Sequence, residues 1–251
     1  MRAILPKHIS PEQFSFLQYH QIHEVVGTTQ EVLHTLHIKK CKGMILKVDL
    51  SKAFDRVNWL YIRMLLTHLG FPFMFIKWIM SYITNIPFSV LVNGSTSPFF
   101  FSERDLRQGY PLSPLLFLLV MEGLSRLIKE EHRRGRLEGI KSTKDCILTH
   151  LLFVDDVLIF LNGGIGDLSI IKSTFSLFQV ATRMTINDSK STLTAVACTQ
   201  HENHFALQRF CFTPLRLEEG LKYLGYKIKP LGYKIFDWTL LIAKMEKRLN
   251  T

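Results

Sequence analysis

Cysteine is scarce: the chain has four, and Cys41, Cys146, Cys198 and Cys211 stand far apart with no CxxC spacing. That excludes a disulfide scaffold and a zinc ribbon and suits a reducing compartment. Long apolar runs are missing too. The longest, Leu115 to Met121, is bounded by Pro114 and Glu122 and is too short to cross a bilayer. The N-terminal MRAILPKHIS has neither the apolar core nor the small-residue cleavage site of a secretory signal. An intracellular protein, nuclear or cytoplasmic and not secreted, is therefore expected. No repeat, low-complexity stretch or Pro/Gly/Ser-rich linker divides the 251 residues, which predicts one domain. Acid is sparse relative to base: 21 Asp and Glu stand against 31 Lys and Arg, a net charge of +10. Such a balance expects a polyanionic partner, nucleic acid ahead of an acidic membrane. With 47% hydrophobic and 21% charged residues, the composition is globular and argues against disorder.

Along the chain, EQFSFLQ and IHEVVGTTQEVLHTL carry helix-like apolar spacing. Met44 to Val48 reads as a short buried strand, despite Lys47, and ends at Asp49. In the next stretch Phe54, Val57, Leu60, Tyr61, Met64 and Leu65 share one helical face, closed by Gly70 and Pro72. Residues 86–102 predict a hairpin around Asn93-Gly94. Ser113-Pro114 opens a long buried helix with a basic exit. LLFVDDVLIFL predicts a second hairpin, IIKSTFSLFQVATRM an amphipathic helix, and Thr185–Asn187 a short strand. The stretch from Lys222 to Arg248 interleaves lysines with Tyr223, Tyr226, Tyr233 and Trp238. Strict βαβ alternation is absent, so the expected class is α+β.

The sharpest feature is the pair Asp155-Asp156 inside an apolar run. Aspartate is unfavourable within strands, and burying an unpaired carboxylate is costly. The plain structural alternative is a tight hairpin turn, which aspartate favours, but a turn leaves the long hydrophobic flanks unexplained. A hard divalent cation accounts for both residues, because Mg²⁺ takes few carboxylates and completes its shell with water and phosphate. Asp49, at a strand end before a helix, would alone read as a helix cap. Brought beside Asp155 and Asp156, it completes the carboxylate cluster of two-metal phosphoryl chemistry.

KVDLSKAFDRVNW, RQGYPLSPLLF, LLFVDD, INDSKS and YLGYKI, in that order, resemble motifs A to E of reverse transcriptases, most closely those of plant LINE-type (non-LTR) retrotransposons. The resemblance runs from ISPEQFSFL to the last residue. It implies a right-hand polymerase fold with an antiparallel palm sheet backed by helices, partial fingers and a truncated thumb. Residues 1–43 and about 70–110 would belong to the fingers, 44–69 and 111–230 to the palm, and 231–251 to the start of the thumb. The implied activity is RNA-directed DNA synthesis, extending a DNA primer on an RNA template with dNTPs and Mg²⁺, with Mn²⁺ as a substitute. Asp49, Asp155 and Asp156 would bind the metals, with Asp156 the less direct ligand. Asp49 and Asp155 should lie within a few ångströms, with Asp156 beside them on the hairpin tip. Phe54, five residues past Asp49, would be the ring that excludes a 2′-hydroxyl, although an ordinary core phenylalanine explains it nearly as well. Asp55 reads as structural. Gln108 and Gly109 would position template base and nucleotide, where a glycine permits close backbone approach. Arg107 would contact phosphate, Lys190 would protonate the leaving pyrophosphate, and Tyr223, Leu224 and Gly225 would grip the primer. The lysines and aromatics that follow would meet nucleic acid backbone and bases.

Four positions depart from the family pattern. Tyr19-His20 replaces a Gly-Arg whose arginine would hold the triphosphate, a task a mostly neutral imidazole performs poorly. Asp105 replaces a glycine, Val154 an alanine, and Arg183 a glycine where a positive φ would bring strain. No endonuclease segment is seen before the polymerase region and no Cys/His knuckle after it. A second expectation is therefore an inactive, truncated remnant that binds nucleic acid by charge alone. A splicing-type maturase would normally append an RNA-binding region, and a metal-dependent nuclease leaves RQGYPLSP and YLGY unexplained. The sequence leaves the oligomeric state open.

Overall fold

A strand buried on both faces organises the molecule. The computed structural model describes residues 5–16, 21–107, 109–142 and 147–249. In chain order, α1 (Ile22–Lys39) leads into β1 (Gly43–Ser51), followed by α2 (Ala53–Arg56), α3 (Trp59–His68) and α4 (Phe73–Thr84). Four two-residue strands come next: β2 (Pro87–Phe88), β3 (Leu91–Val92), β4 (Ser95–Thr96) and β5 (Phe100–Phe101). After α5 (Ser113–Arg133) come β6 (Ile140–Lys141), β7 (Ile147–Leu148), β8 (His150–Phe153) and β9 (Asp156–Leu161). Then follow α6 (Ile165–Thr182), β10 (Thr185–Ile186), β11 (Thr192–Val196), α7 (Gln200–Arg209), β12 (Thr213–Pro214), β13 (Leu221–Tyr223), β14 (Tyr226–Ile228) and α8 (Thr239–Leu249).

The main sheet has the order β12-β11-β1-β9-β8, with β10 also on β1. Its centre is antiparallel, as expected for α+β, while β12 joins β11 in parallel at one edge. Because strand side chains alternate, Met44, Leu46 and Val48 point into the core built with α5 and α6, together with Val157, Ile159 and Leu161 of β9. Ile45, Leu158 and Phe160 point the other way, into a second core with α1, β13 and β14. Each such fully buried aliphatic side chain contributes about 1.5–3 kcal/mol. Both faces are covered, which is why β1 and β9 read as near-continuous hydrophobic runs.

Several local expectations change. EQFSFLQ is not helical where described: Gln13 forms a parallel bridge to Leu152, because the exposed edge of β8 offers backbone partners. The single helix expected after Asp49 is two, broken at Val57 and Asn58. Asn58 is extended, caps α3 by accepting from Leu60 N–H at 2.9 Å, and donates its own N–H to Thr182 O at 3.0 Å. The buried face of α3 is then Ile62, Leu65 and Leu66, and the Leu60 and Met64 of the expected face are 60% and 63% exposed. Helices α4 and α7 lie where the pattern singled out no element. In α4, Ile76, Ile79 and Ile83 are buried at helical spacing, while α7 is weakly amphipathic and opens with a reciprocal Thr199–Glu202 capping box.

Candidate active site

The hairpin of β8 and β9 closes through two residues, Val154 and Asp155. Val154 has φ 57°, a left-handed conformation that a β-branched residue adopts only under constraint. Its N–H donates to Ser15 Oγ at 3.0 Å. Across the sheet, Asp49 of β1 is the register partner of Asp156. Alternation places Lys47, Asp49 and Asp156 on the face shared with Ile45, Leu158 and Phe160, over the second core. The structure thus brings Asp49 and Asp156 into direct opposition, and Asp155 stands next to them, exposed at the turn. In the strand register Asp156 is the residue opposite Asp49.

The electrostatics follow from this geometry. Burial pushes the Asp156 carboxyl above the usual aspartate range; Lys47 opposes that shift, and the charges of Asp155 and Asp49 reinforce it. Lys47 Nζ stands 3.8 Å from Asp156 Oδ1, a long ion pair. The Asp49 backbone is clamped from the other side: its N–H donates to Ser191 Oγ at 3.0 Å, and its carbonyl accepts from Asn187 N–H at 2.8 Å. This ties the INDSKS segment to β1. Lys190, in that segment, is exposed and lines an open cleft of about 470 Å³ together with Lys47, Thr192, Lys222 and Lys227. Among the described residues, no three His, Cys, Asp or Glu side chains converge closely enough to hold a metal by themselves. The donor set nevertheless suits a hard cation: it is all carboxylate, the charges of Asp155 and Asp49 add to the raised proton affinity of Asp156, and Mg²⁺ is ordinarily held by one or two carboxylates with substrate phosphate supplying the rest.

The remaining expected residues divide. Phe54 is half-buried and stacks on Phe117 of α5, centroids 4.3 Å apart. Gly109 has φ 87° and open space where a Cβ would be. Gln108 and His20 lie outside the described residues. Arg107 is not a free-standing loop cation: its guanidinium lies 4.1 Å from the Phe88 ring centroid and donates to Tyr110 Oη at 2.9 Å. Tyr223 lies beneath the surface. It is 1% exposed and its hydroxyl has no hydrogen-bond partner among the described residues. Burial first and the charge of Asp156 second push its hydroxyl well above the usual tyrosine range. Tyr223 therefore floors the site, and the surface of this hairpin falls to the turn Leu224-Gly225, with φ 51° and 83°. The sequence reading gave no role to Ser15 and Ser191, although both lie in stretches it singled out, ISPEQFSFL and INDSKS. Lys47, a lone cation in an apolar strand, was the available signal for a countercharge.

Two other departures have positive φ, Arg183 as expected and Asp105 beyond what was expected. Arg183 ends α6 with φ 62°. Asp105 has φ 140°, its carbonyl accepts from Trp59 Nε1 at 2.7 Å, and burial raises its carboxyl against the pull of Arg107.

The profile of the reverse transcriptase (RNA-dependent DNA polymerase) family matches residues 1–228. The Retrovirus-related Pol polyprotein from type-1 retrotransposable element R2 of Popillia japonica is 25% identical over 242 residues, 89% of this chain and 39% of that protein. This chain thus spans about two fifths of that relative's length. An uncharacterized mitochondrial protein of Arabidopsis thaliana is 45% identical over 67 residues, covering 26% of this chain and 55% of that one. Among solved structures, apo telomerase from Candida tropicalis truncated from its C-terminal domain superposes with a TM-score of 0.60 at 14% identity, over 93% of this chain and 44% of that one. Telomerase from Candida albicans gives 0.57 at 13% identity, over 84% and 33%. The fold is the right-hand polymerase fold, and the chain belongs to the reverse transcriptase (RNA-dependent DNA polymerase) family, with homology to the polyproteins of non-LTR retrotransposons.

Proposed function

We propose that this chain performs RNA-directed DNA synthesis, adding dNTPs to a primer 3′-hydroxyl on an RNA template. The observation that carries the reading is the register pairing of Asp49 with Asp156, with Asp155 adjacent on the turn. These carboxylates would hold Mg²⁺, or Mn²⁺ in its place. Bound there, the metal pair would lower the pKa of the attacking hydroxyl and neutralise charge on the phosphates. The chain's own residues do the rest. Phe54, braced by Phe117, would pack under the sugar and exclude a 2′-hydroxyl. Lys190 would deliver a proton to the leaving pyrophosphate. Gly109 would let the backbone approach the nucleotide, and Leu224-Gly225 would meet the primer. The surplus of cations would neutralise template and primer phosphates. Its motifs place the chain among plant LINE-type elements, acting in nucleus or cytoplasm, and a plant likeness beside them is the short stretch shared with the Arabidopsis mitochondrial protein.

The test is primer extension on an RNA template with Mg²⁺, comparing the chain with Asp49→Asn and Asp155→Asn. Template-dependent synthesis lost in both variants supports the proposal; synthesis that survives both overturns it. A second reading, an inactive remnant, is favoured by the positive φ at Asp105 and Arg183. Robust extension by the unsubstituted chain would refute that reading.

A further inference from the structure

The turn that carries Asp155 is held by a segment far away in sequence. Val154, β-branched and at φ 57°, sits in a conformation that persists only where the surroundings enforce it. Its N–H donates to Ser15 Oγ at 3.0 Å, and the Ser15 hydroxyl donates in turn to Gln13 Oε1 at 2.9 Å. Ser15 is 2% exposed and Gln13 0%, so water does not compete for these bonds. A serine hydroxyl has one hydrogen and two lone pairs. Gln13 takes the hydrogen, which leaves a lone pair for Val154. The relay is itself fixed: Phe14 N–H donates to Leu152 O at 3.0 Å, and Leu152 N–H to Glu12 O at 2.9 Å. Upstream, Ser10 donates through N–H and hydroxyl, each at 2.8 Å, to the buried carboxylate of Glu122 on α5.

We propose that Gln13 and Ser15 are positioning residues that lock Val154 in its left-handed conformation and thereby aim the Asp155-Asp156 turn at Asp49. The inference rests on the proposed role of those carboxylates. Were φ at Val154 to relax to negative values, Asp155 would swing away, and a misplacement of about 1 Å at a reacting centre costs around a hundredfold. The N-terminal segment would thus set metal and nucleotide geometry without touching either.

The experiment uses the full chain with two readouts: hydrogen exchange of the residue-154 amide by NMR, and Mn²⁺ affinity from the electron paramagnetic resonance of free Mn²⁺. Ser15→Ala should speed exchange at residue 154 and weaken Mn²⁺ binding by about tenfold, the scale of one buried hydrogen bond. Adding Val154→Gly should restore Mn²⁺ affinity to within about twofold, because glycine adopts positive φ without a lock. A role in general stability alone would not be rescued this way. Gln13→Met, which keeps bulk but removes the acceptor, should move both readouts in the direction of Ser15→Ala, and it carries the test if Ser15→Ala does not fold. Unchanged exchange and affinity in Ser15→Ala, or failure of Val154→Gly to restore affinity, overturns the lock. If the unsubstituted chain binds no Mn²⁺, the carboxylate reading fails instead, and exchange at residue 154 in Ser15→Ala and Gln13→Met still decides the lock.

Discussion

Asp49 and Asp156 are register partners on adjacent antiparallel strands, which sets their Cα atoms about 4.5–5.5 Å apart with both side chains on one face. Two like charges held so close, with Asp155 beside them, cost stability unless a cation intervenes. Asp156→Asn should therefore raise the denaturation midpoint while lowering primer extension by about a hundredfold, the scale for loss of a metal-site partner. A variant that loses stability and keeps activity would contradict the site.

Arg183 ends α6 in the left-handed region at φ 62°. Arg183→Gly should stabilise the chain by about 0.5–1 kcal/mol, since glycine pays no Cβ penalty there. Asp105→Gly, relieving φ 140° and a partly buried carboxyl, should also raise the midpoint. Chemical denaturation of both variants checks the claim, and a fall in either midpoint contradicts it.

His150 is fully buried between Ser125 Oγ, 2.7 Å from Nε2, and Thr149 Oγ1, 2.9 Å from Nδ1. Burial, with Lys129 adding to it, drops its pKa from the ordinary 6.5 to about 3. Between those values the unfolded chain binds a proton that the folded chain refuses, so stability is full above about pH 6.5 and falls as pH is lowered toward 3. At pH 5 the loss should be about 2 kcal/mol. His150→Gln should flatten this part of the pH profile in urea titrations; an equally steep profile would assign the effect to other groups.

Phe54 braces against Phe117 and lies in α2, just past the end of the strand that carries Asp49. Phe54→Val should admit ribonucleotides, raising their incorporation relative to dNTPs by at least about tenfold, and should lower stability by about 1–3 kcal/mol from the lost ring contact. Reduced stability without any change in nucleotide selection would leave Phe54 a core residue alone.

Nucleic-acid binding should be indifferent to sequence. Its logarithmic affinity should fall with the logarithm of salt concentration at roughly 0.7–0.9 per phosphate neutralised. A titration showing no salt dependence between low and physiological ionic strength would point to a different partner.

The five motifs, the α+β class, the β8–β9 hairpin around the two aspartates and the long helix from Ser113 were all readable from residue order, because each rests on local chemistry. Period-two burial, a turn dipeptide and a first-turn proline act within a few residues. Positive φ at Arg183 was readable from the family resemblance, because Arg183 replaces a glycine there. The split between α2 and α3 was not, since it depends on Asn58 reaching Thr182. Nor was the extended course of Gln13, whose helical spacing lost to the open edge of β8. At the site, residue types identified the three aspartates, but only register could decide that Asp156 faces Asp49, because a shift of one residue exchanges the faces of a strand. Burial of Tyr223, the company Arg107 keeps with Phe88 and Tyr110, and the hold of Ser15 on Val154 all join segments distant in sequence. Such contacts are formed by packing in three dimensions, and no local pattern along the chain encodes them.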